Sequence, residues 1–144
     1  MFPLQPASKI PWPRSAGCKD ATCDPDRIRA WFGPGKAPSN LGIATGHTVD
    51  VVDIDGLAGH VSRAHAWEKF AALDVIATVS TPRAGGLHLY VPAREGMGNK
   101  QKLLPGIDYR GLGGYVVAPP STSPDGTYRF IRPPDPARLK ELTR

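Results

Sequence analysis

Cysteine is scarce in this chain of 144 residues: Cys18 and Cys23 are the only two, and both lie in a Pro- and Gly-rich stretch. They can be read as reduced thiols, as a disulfide, or as half of a metal site that borrows two of His47, His60, His65 and His88. None of these histidines follows Cys23 at zinc-finger spacing. Nowhere does the sequence approach the roughly 20 apolar residues of a membrane span. Met1-Phe2-Pro3-Leu4 has neither the basic nor the apolar region of a secretory leader, so a cytoplasmic protein is expected. Acidic residues are outnumbered, 13 Asp and Glu against 18 Lys and Arg, for a net charge of +5. That balance suits a polyanionic partner such as nucleic acid. The patterns GxxxxGK[ST], HExxH and GxSxG are missing, as is GxGxxG after a strand, which leaves no fingerprint for those chemistries.

Glycine and proline are abundant, with 16 of each. Together they make about 22% of the chain, against roughly 12% in average usage. Both residues damage helix interiors, which argues against a helical bundle. Hydrophobic residues at 40% are enough to build a core. The length suits one domain over 1–144, rich in turns.

Local patterns predict short elements. Phe2-Pro3-Leu4 reads as an edge strand. Asp24 followed by Pro25 is an N-cap and first-turn signal, and Ile28, Trp31 and Phe32 follow at helical spacing, predicting a helix over 25–32. Runs at 41–45 and 49–54, separated by Gly46-His47-Thr48, read as a hairpin or two adjacent strands. Leu57, Val61, Ala64 and Ala71, with Trp67 and Phe70, predict one long helix over 57–73. Strands are expected at 75–80 and 87–91, then a polar, basic loop over 93–105. A hairpin is expected from 107–110 and 115–118 around Gly111-Leu112-Gly113-Gly114. A strand at 127–131 and a helix at 136–142 complete an α+β pattern dominated by sheet.

The sharpest chemical feature is Val51-Val52-Asp53-Ile54-Asp55-Gly56. Side chains at i and i+2 of a strand share a face, so Asp53 and Asp55 project together while Val52 and Ile54 turn to the core. Adjacent carboxylates repel, and a hard divalent cation relieves them. The plain alternative is a strand end with two solvated acids. Asp108, also on a short strand before a Gly turn, can add a third carboxylate. Three carboxylates around two metal ions is an arrangement that phosphoryl transfer uses. His88 alternates with Leu87 and Leu89 and so points to the polar face. The preceding turn, with Ser80, Thr81, Arg83 and Gly86, can offer hydroxyls, a guanidinium and free backbone N–H groups to a phosphate. Arg110 shares the face of Asp108 and can pair with an acid or reach a phosphate. Trp12, Trp31, Phe32 and Tyr109 are candidate base-stacking aromatics, with a core role the simpler reading for Trp31 and Phe32.

Taken in order, these segments carry a resemblance. They are Asn40–Gly46, Val51-Val-Asp-Ile-Asp55, Thr81-Pro-Arg-Ala-Gly-Gly-Leu-His-Leu-Tyr90, Pro105-Gly-Ile-Asp-Tyr-Arg-Gly111 and Gly113–Ser121. Together they resemble the bifunctional DNA primase/polymerase (prim-pol) domain of the archaeo-eukaryotic primase superfamily, over nearly the whole chain. The resemblance implies an α/β unit plus an RNA-recognition-motif-like sheet, with the active site in the cleft between them. It implies template-directed nucleotidyl transfer from dNTPs or NTPs. Asp53 and Asp55 match the metal-binding pair and Asp108 the third carboxylate, for two Mg²⁺ or Mn²⁺ ions. His88, with Gly86 as the small residue before it, matches the histidine that contacts the triphosphate. Arg83, Ser80, Thr81 and Arg110 are further nucleotide candidates, and Lys9, Lys100, Lys102 and Arg129 candidates for holding DNA. Against the family pattern the chain reads as minimal, without the usual N-terminal helix or a C-terminal helicase. A replicative helicase is then a partner in trans. The alternative expectation is an inactive or accessory domain that binds nucleotide or single-stranded DNA in a phage or plasmid replication complex. A further possibility is another nucleotidyl transferase or a nuclease using the same carboxylates.

Overall fold

Aspartate followed by proline opens two of the helices in this computed structural model, which describes residues 1–143. Asp24 accepts the Asp26 N–H at the start of α1 (Pro25–Phe32), and Asp135 accepts the Ala137 N–H at the start of α4 (Pro136–Leu142). Each cap satisfies an N–H that the helix itself leaves free.

The first strands are β1 (Phe2–Leu4), β2 (Asn40–Ala44) and β3 (Val49–Ile54). Helices α2 (Gly56–His65) and α3 (Trp67–Ala71) follow. Then come β4 (Ala77–Ser80), β5 (Leu87–Pro92), β6 (Lys100–Leu104), β7 (Ile107–Arg110) and β8 (Tyr115–Ala118). Strands β9 (Thr122–Ser123), β10 (Gly126–Thr127) and β11 (Arg129–Arg132) precede α4. A six-stranded sheet has the order β11-β4-β5-β3-β7-β6, and a three-stranded sheet the order β1-β2-β8. The architecture is mixed α+β, as the sequence pattern predicts.

β3 lies inside the large sheet between β5 and β7. Both its faces are covered, so its residues are buried almost without alternation. On one face Val51, Val79 and Tyr90 pack with Val116 of the small sheet. On the other, Val52, Ile54, Leu89, Ile107 and Tyr109 pack beneath Phe70 and Leu73. Phe2 and Leu4, in a strand of only three residues, are fully buried with Val117.

Both expected hairpins are instead crossings between sheets. β2 pairs with β1 and β8, whereas β3 pairs with β5 and β7. β7 and β8 likewise belong to different sheets. The two crossings lie against each other. The Thr45 hydroxyl donates to the Gly111 carbonyl, and the Thr45 N–H to that of Gly114. A Cβ on Gly46 would sit 2.1 Å from Leu112 Cα, and its φ of +92° is in the range that side chains avoid. Short-range turn signals do not distinguish such a crossing from a hairpin.

The single helix expected over 57–73 is two helices, broken at Ala66. The apolar stripe misidentified the buried face: Leu57 is 81% exposed, and Val61 and Trp67 are exposed too. α2 docks through its small residues instead. Gly59 meets the Gly106 backbone, and the Ser62 hydroxyl donates to the Pro105 carbonyl. The break then lets α3 direct Phe70 under the sheet. The basic loop expected over 93–105 contains β6, an exposed edge strand with an irregular register to β7. The strand expected at 127–131 is divided between β10 and β11.

Candidate functional site

Three central strands set one row of side chains. Asp53 of β3 is directly opposite His88 of β5 on one side and Asp108 of β7 on the other. Residues opposite one another in antiparallel strands share a face, so these three project together. His88 Nε2 is 3.6 Å from Asp53 Oδ1. Arg110, two residues beyond Asp108, bridges the carboxylates, with Nη2 2.8 Å from Asp108 Oδ2 and 3.4 Å from Asp53 Oδ2. The Lys102 backbone N–H donates to the other oxygen of Asp108 at 2.7 Å.

Asp55 follows the end of β3 and occupies the N-cap position of α2, yet its side chain makes no capping hydrogen bond. It receives Arg83 Nη1 at 3.0 Å. Arg83 belongs to the turn 81–86, closed by Thr81 N–H to Gly86 O and Gly86 N–H to Arg83 O. Those two N–H groups, expected to be free for phosphate, are therefore engaged in the turn. A Cβ on Gly86 would lie 2.1 Å from the Thr81 hydroxyl, which explains the absence of a side chain there. Ser80 lies outside the cleft lining, and its hydroxyl donates to the Arg129 carbonyl.

A cleft of ≈650 Å³ opens between the two sheets. Asp53, Asp55, His88, Arg83 and Arg110 line one side; the stretch from Gly113 to Val117 and Lys9 line the other. Asp108 does not itself line the cleft. Lys100 and Lys102 lie on edge strand β6, and Arg129 on β11 at the opposite edge. These three basic residues and Lys9 therefore do not form one patch. Tyr109, a candidate for base stacking, is buried on the helix-covered face and donates to Asp50, so it is a core residue. Trp31 is partly buried against Phe2 and Leu4. Cys18 and Cys23 are both free.

Burial decides the charge states. It raises Asp53 to about 6, aided by the neighbouring Asp55, and together these outweigh the opposing Arg110. Burial first, then Arg110, lowers His88 to about 4, so the imidazole is neutral at pH 7. Its Nδ1 is buried without a hydrogen-bond partner. Burial also raises Tyr128, whose ring packs 5.9 Å from that of His88. An NMR titration should find no conversion of the His88 ring to imidazolium from pH 8 down to about 5, only a smaller perturbation as the neighbouring Asp53 titrates near 6. A full imidazolium shift with a midpoint between pH 6 and 7 would contradict this description of the site.

Among the described residues, no group of three or more His, Cys, Asp or Glu side chains converges as a cage for an ion. The donor chemistry nevertheless fits a hard divalent cation: oxygen donors from neighbouring strands, with an under-compensated Asp53 at the centre. Arg110 pairs with Asp108 and Asp53, and Arg83 with Asp55, which compensates these three carboxylates only in part.

Three residues at or near the site are not among its sequence candidates, His60 having entered only as a possible metal partner of the cysteines. Asn99 lines the cleft and accepts the Gly111 N–H. Tyr128 lines it beside His88. His60 of α2 contacts the Gly85 carbonyl at 2.6 Å and ties the turn 81–86 to the helix behind Asp55. All three depend on contacts between segments distant in the chain.

The fold and site define an α+β domain with carboxylates, arginines and a neutral histidine gathered at a cleft between two sheets. The chain belongs to the bifunctional DNA primase/polymerase N-terminal family, which it matches over residues 1–143. Membership implies a nucleotidyltransferase type of domain, with DNA and nucleotides as the substrate classes. No curated protein matches the sequence. Among the described residues no helix is long and apolar enough to cross a membrane.

Proposed function

We propose that this domain is a metal-dependent DNA primase/polymerase that carries out template-directed nucleotidyl transfer from (d)NTPs. The observation that carries the reading is the row His88–Asp53–Asp108 across three adjacent strands, with Asp55 beside it. Asp53, Asp55 and Asp108 would hold two Mg²⁺ or Mn²⁺ ions. Bound there, such ions supply activation of a 3′-hydroxyl and stabilisation of charge on the α-phosphate. His88, neutral at working pH, donates an N–H to a phosphate oxygen rather than supplying charge. Arg83 and Thr81 line the same wall and would receive the outer phosphates through the guanidinium and the hydroxyl. Gly86 serves by leaving room for Thr81, and Ser80 tethers β4 to β11. Lys9 lines the opposite wall and would meet template phosphate. Lys100, Lys102 and Arg129 would hold DNA only where it passes the sheet edges.

One observation favours the second reading, an accessory domain that binds nucleotide or single-stranded DNA without synthesis. The carboxylates are already paired with arginines, and no ion cage is formed among the described residues. A gel shift run beside a primer-extension assay separates the two readings. The polymerase reading expects extension that needs Mg²⁺ or Mn²⁺ and is lost in the Asp53→Ala/Asp55→Ala double variant, while salt-sensitive DNA binding remains. DNA binding without extension by the wild-type chain, whatever the metal, supports the accessory reading instead.

A further inference from the structure

Arg110 ends β7, and one of its guanidinium nitrogens contacts both Asp108 and Asp53. It thus places positive charge between two carboxylates that stand opposite one another across two paired strands. A divalent ion would supply charge of the same sign at the same oxygens, and the two cations repel. Arg110 also lines the cleft, with its side chain about a quarter exposed. A guanidinium released from the carboxylates has open cleft in front of it, where the outer phosphates of a nucleotide would lie.

We propose that Arg110 is an exchange residue. In the metal-free protein its guanidinium stands between Asp53 and Asp108. When these carboxylates take up a divalent ion, Arg110 leaves them and turns into the cleft to bind phosphate. This rests on the metal reading above and adds a coupling to it: filling the carboxylate site frees a phosphate ligand, so each event favours the other. Arg83 makes a similar pair with Asp55, but there both partners are far more exposed and water screens the exchange.

A plain structural clamp between β7 and β3 makes a different prediction. Loss of a clamp would loosen the site and weaken every ligand. Loss of an exchange residue removes a competitor for the ion and a partner for phosphate, so the two affinities move in opposite directions.

The test uses two probes on the intact chain. Mn²⁺ alone is titrated and followed by electron paramagnetic resonance, and inorganic triphosphate is titrated by calorimetry at saturating Mg²⁺. Arg110→Gln keeps much of the stem without the charge. It should bind Mn²⁺ about three- to tenfold more tightly than wild type and triphosphate about tenfold more weakly. Arg110→Lys keeps a charge but not the planar fork, and should fall between them on both probes. Weaker Mn²⁺ binding by Arg110→Gln, or binding equal to wild type, overturns the exchange role. Unchanged triphosphate affinity overturns its phosphate half. If neither wild type nor variant binds Mn²⁺, the metal reading itself has failed and the exchange falls with it. Mn²⁺ binding that Asp53→Asn abolishes, with no tightening in Arg110→Gln, removes only the exchange.

Discussion

Asp53→Asn should abolish primer extension and at the same time raise the melting temperature of the metal-free chain. Asn nearly matches the shape of Asp but brings no charge. The loss of extension follows from removing the central carboxylate, and a fall of at least about a thousandfold is expected. The gain in stability follows from the raised Asp53. An ordinary aspartate titrates near 3.8, whereas Asp53 in the fold titrates at about 6. Between those values the folded chain keeps a proton that the unfolded chain has released. Stability therefore falls as pH rises through the window, and the cost is complete above it. A shift of this size corresponds to about 3 kcal/mol at most. In EDTA at pH 7.5, Asp53→Asn should melt roughly 5 °C or more above wild type. Near pH 4 Asp53 is protonated and the difference should vanish.

His88 contributes a slope of opposite sign. Its folded value near 4 lies below the ordinary 6.5, so the unfolded chain takes up a proton first as pH falls. Stability is lost from about pH 6.5 downward, which opposes Asp53 through much of the same range. Asp53→Asn leaves the His88 slope exposed, and the variant's melting temperature should rise with pH between about 4 and 6.5. A variant that melts below wild type at pH 7.5 would show that Asp53 is a stabilising structural carboxylate rather than a strained functional one.

Gly106→Ala should lose about 3 kcal/mol or more of stability and take synthesis with it. Gly106 has φ +69°, and a Cβ there would lie 2.3 Å from Gly59 N and 2.8 Å from Gly59 Cα. Both contacts are to backbone, so no side chain can swing aside. The Gly106 carbonyl also accepts the Asp55 N–H at 2.7 Å. One turn therefore sets both the seat of α2 and the position of Asp55. Gly96 provides the control, since it has φ +70° and nothing within 4 Å of an added Cβ. Gly96→Ala should cost only the backbone strain, about 1 kcal/mol. Thermal melts of the two variants side by side isolate the contact, and equal losses would refute it.

Local chemistry made part of this structure legible. Asp24-Pro25 and Asp135-Pro136 mark helix starts because capping involves only neighbouring residues. The strand period correctly set Asp53 apart from Val52 and Ile54, and His88 apart from Leu87 and Leu89, because it is fixed by the backbone. The face expected to be polar is covered by the small sheet, however, and His88 is buried there. Sheet membership was not legible in the same way. Gly46-His47-Thr48 and Gly111–Gly114 read as hairpin turns, yet each carries the chain between sheets, held by contacts between residues more than sixty positions apart. Leu57 and Val61 misled for a related reason: α2 docks through Gly59 and Ser62, and nothing local marks small residues as the buried face. Within the site, the carboxylates and His88 could be read from motif and period. The pairing of Arg110 with two of those carboxylates, and of Arg83 with the third, depends on strand register and turn geometry.

The central claim is that the Asp53 row performs nucleotidyl transfer. The most direct measurement follows a labelled primer on a single-stranded DNA template, with dNTPs and with NTPs, in Mn²⁺ and in EDTA, for wild type and Asp53→Asn, with an unprimed template alongside. The account predicts template-directed lengthening by wild type with metal, none in EDTA and none by the variant. Extension by Asp53→Asn at the wild-type rate, or by wild type in EDTA, would contradict it.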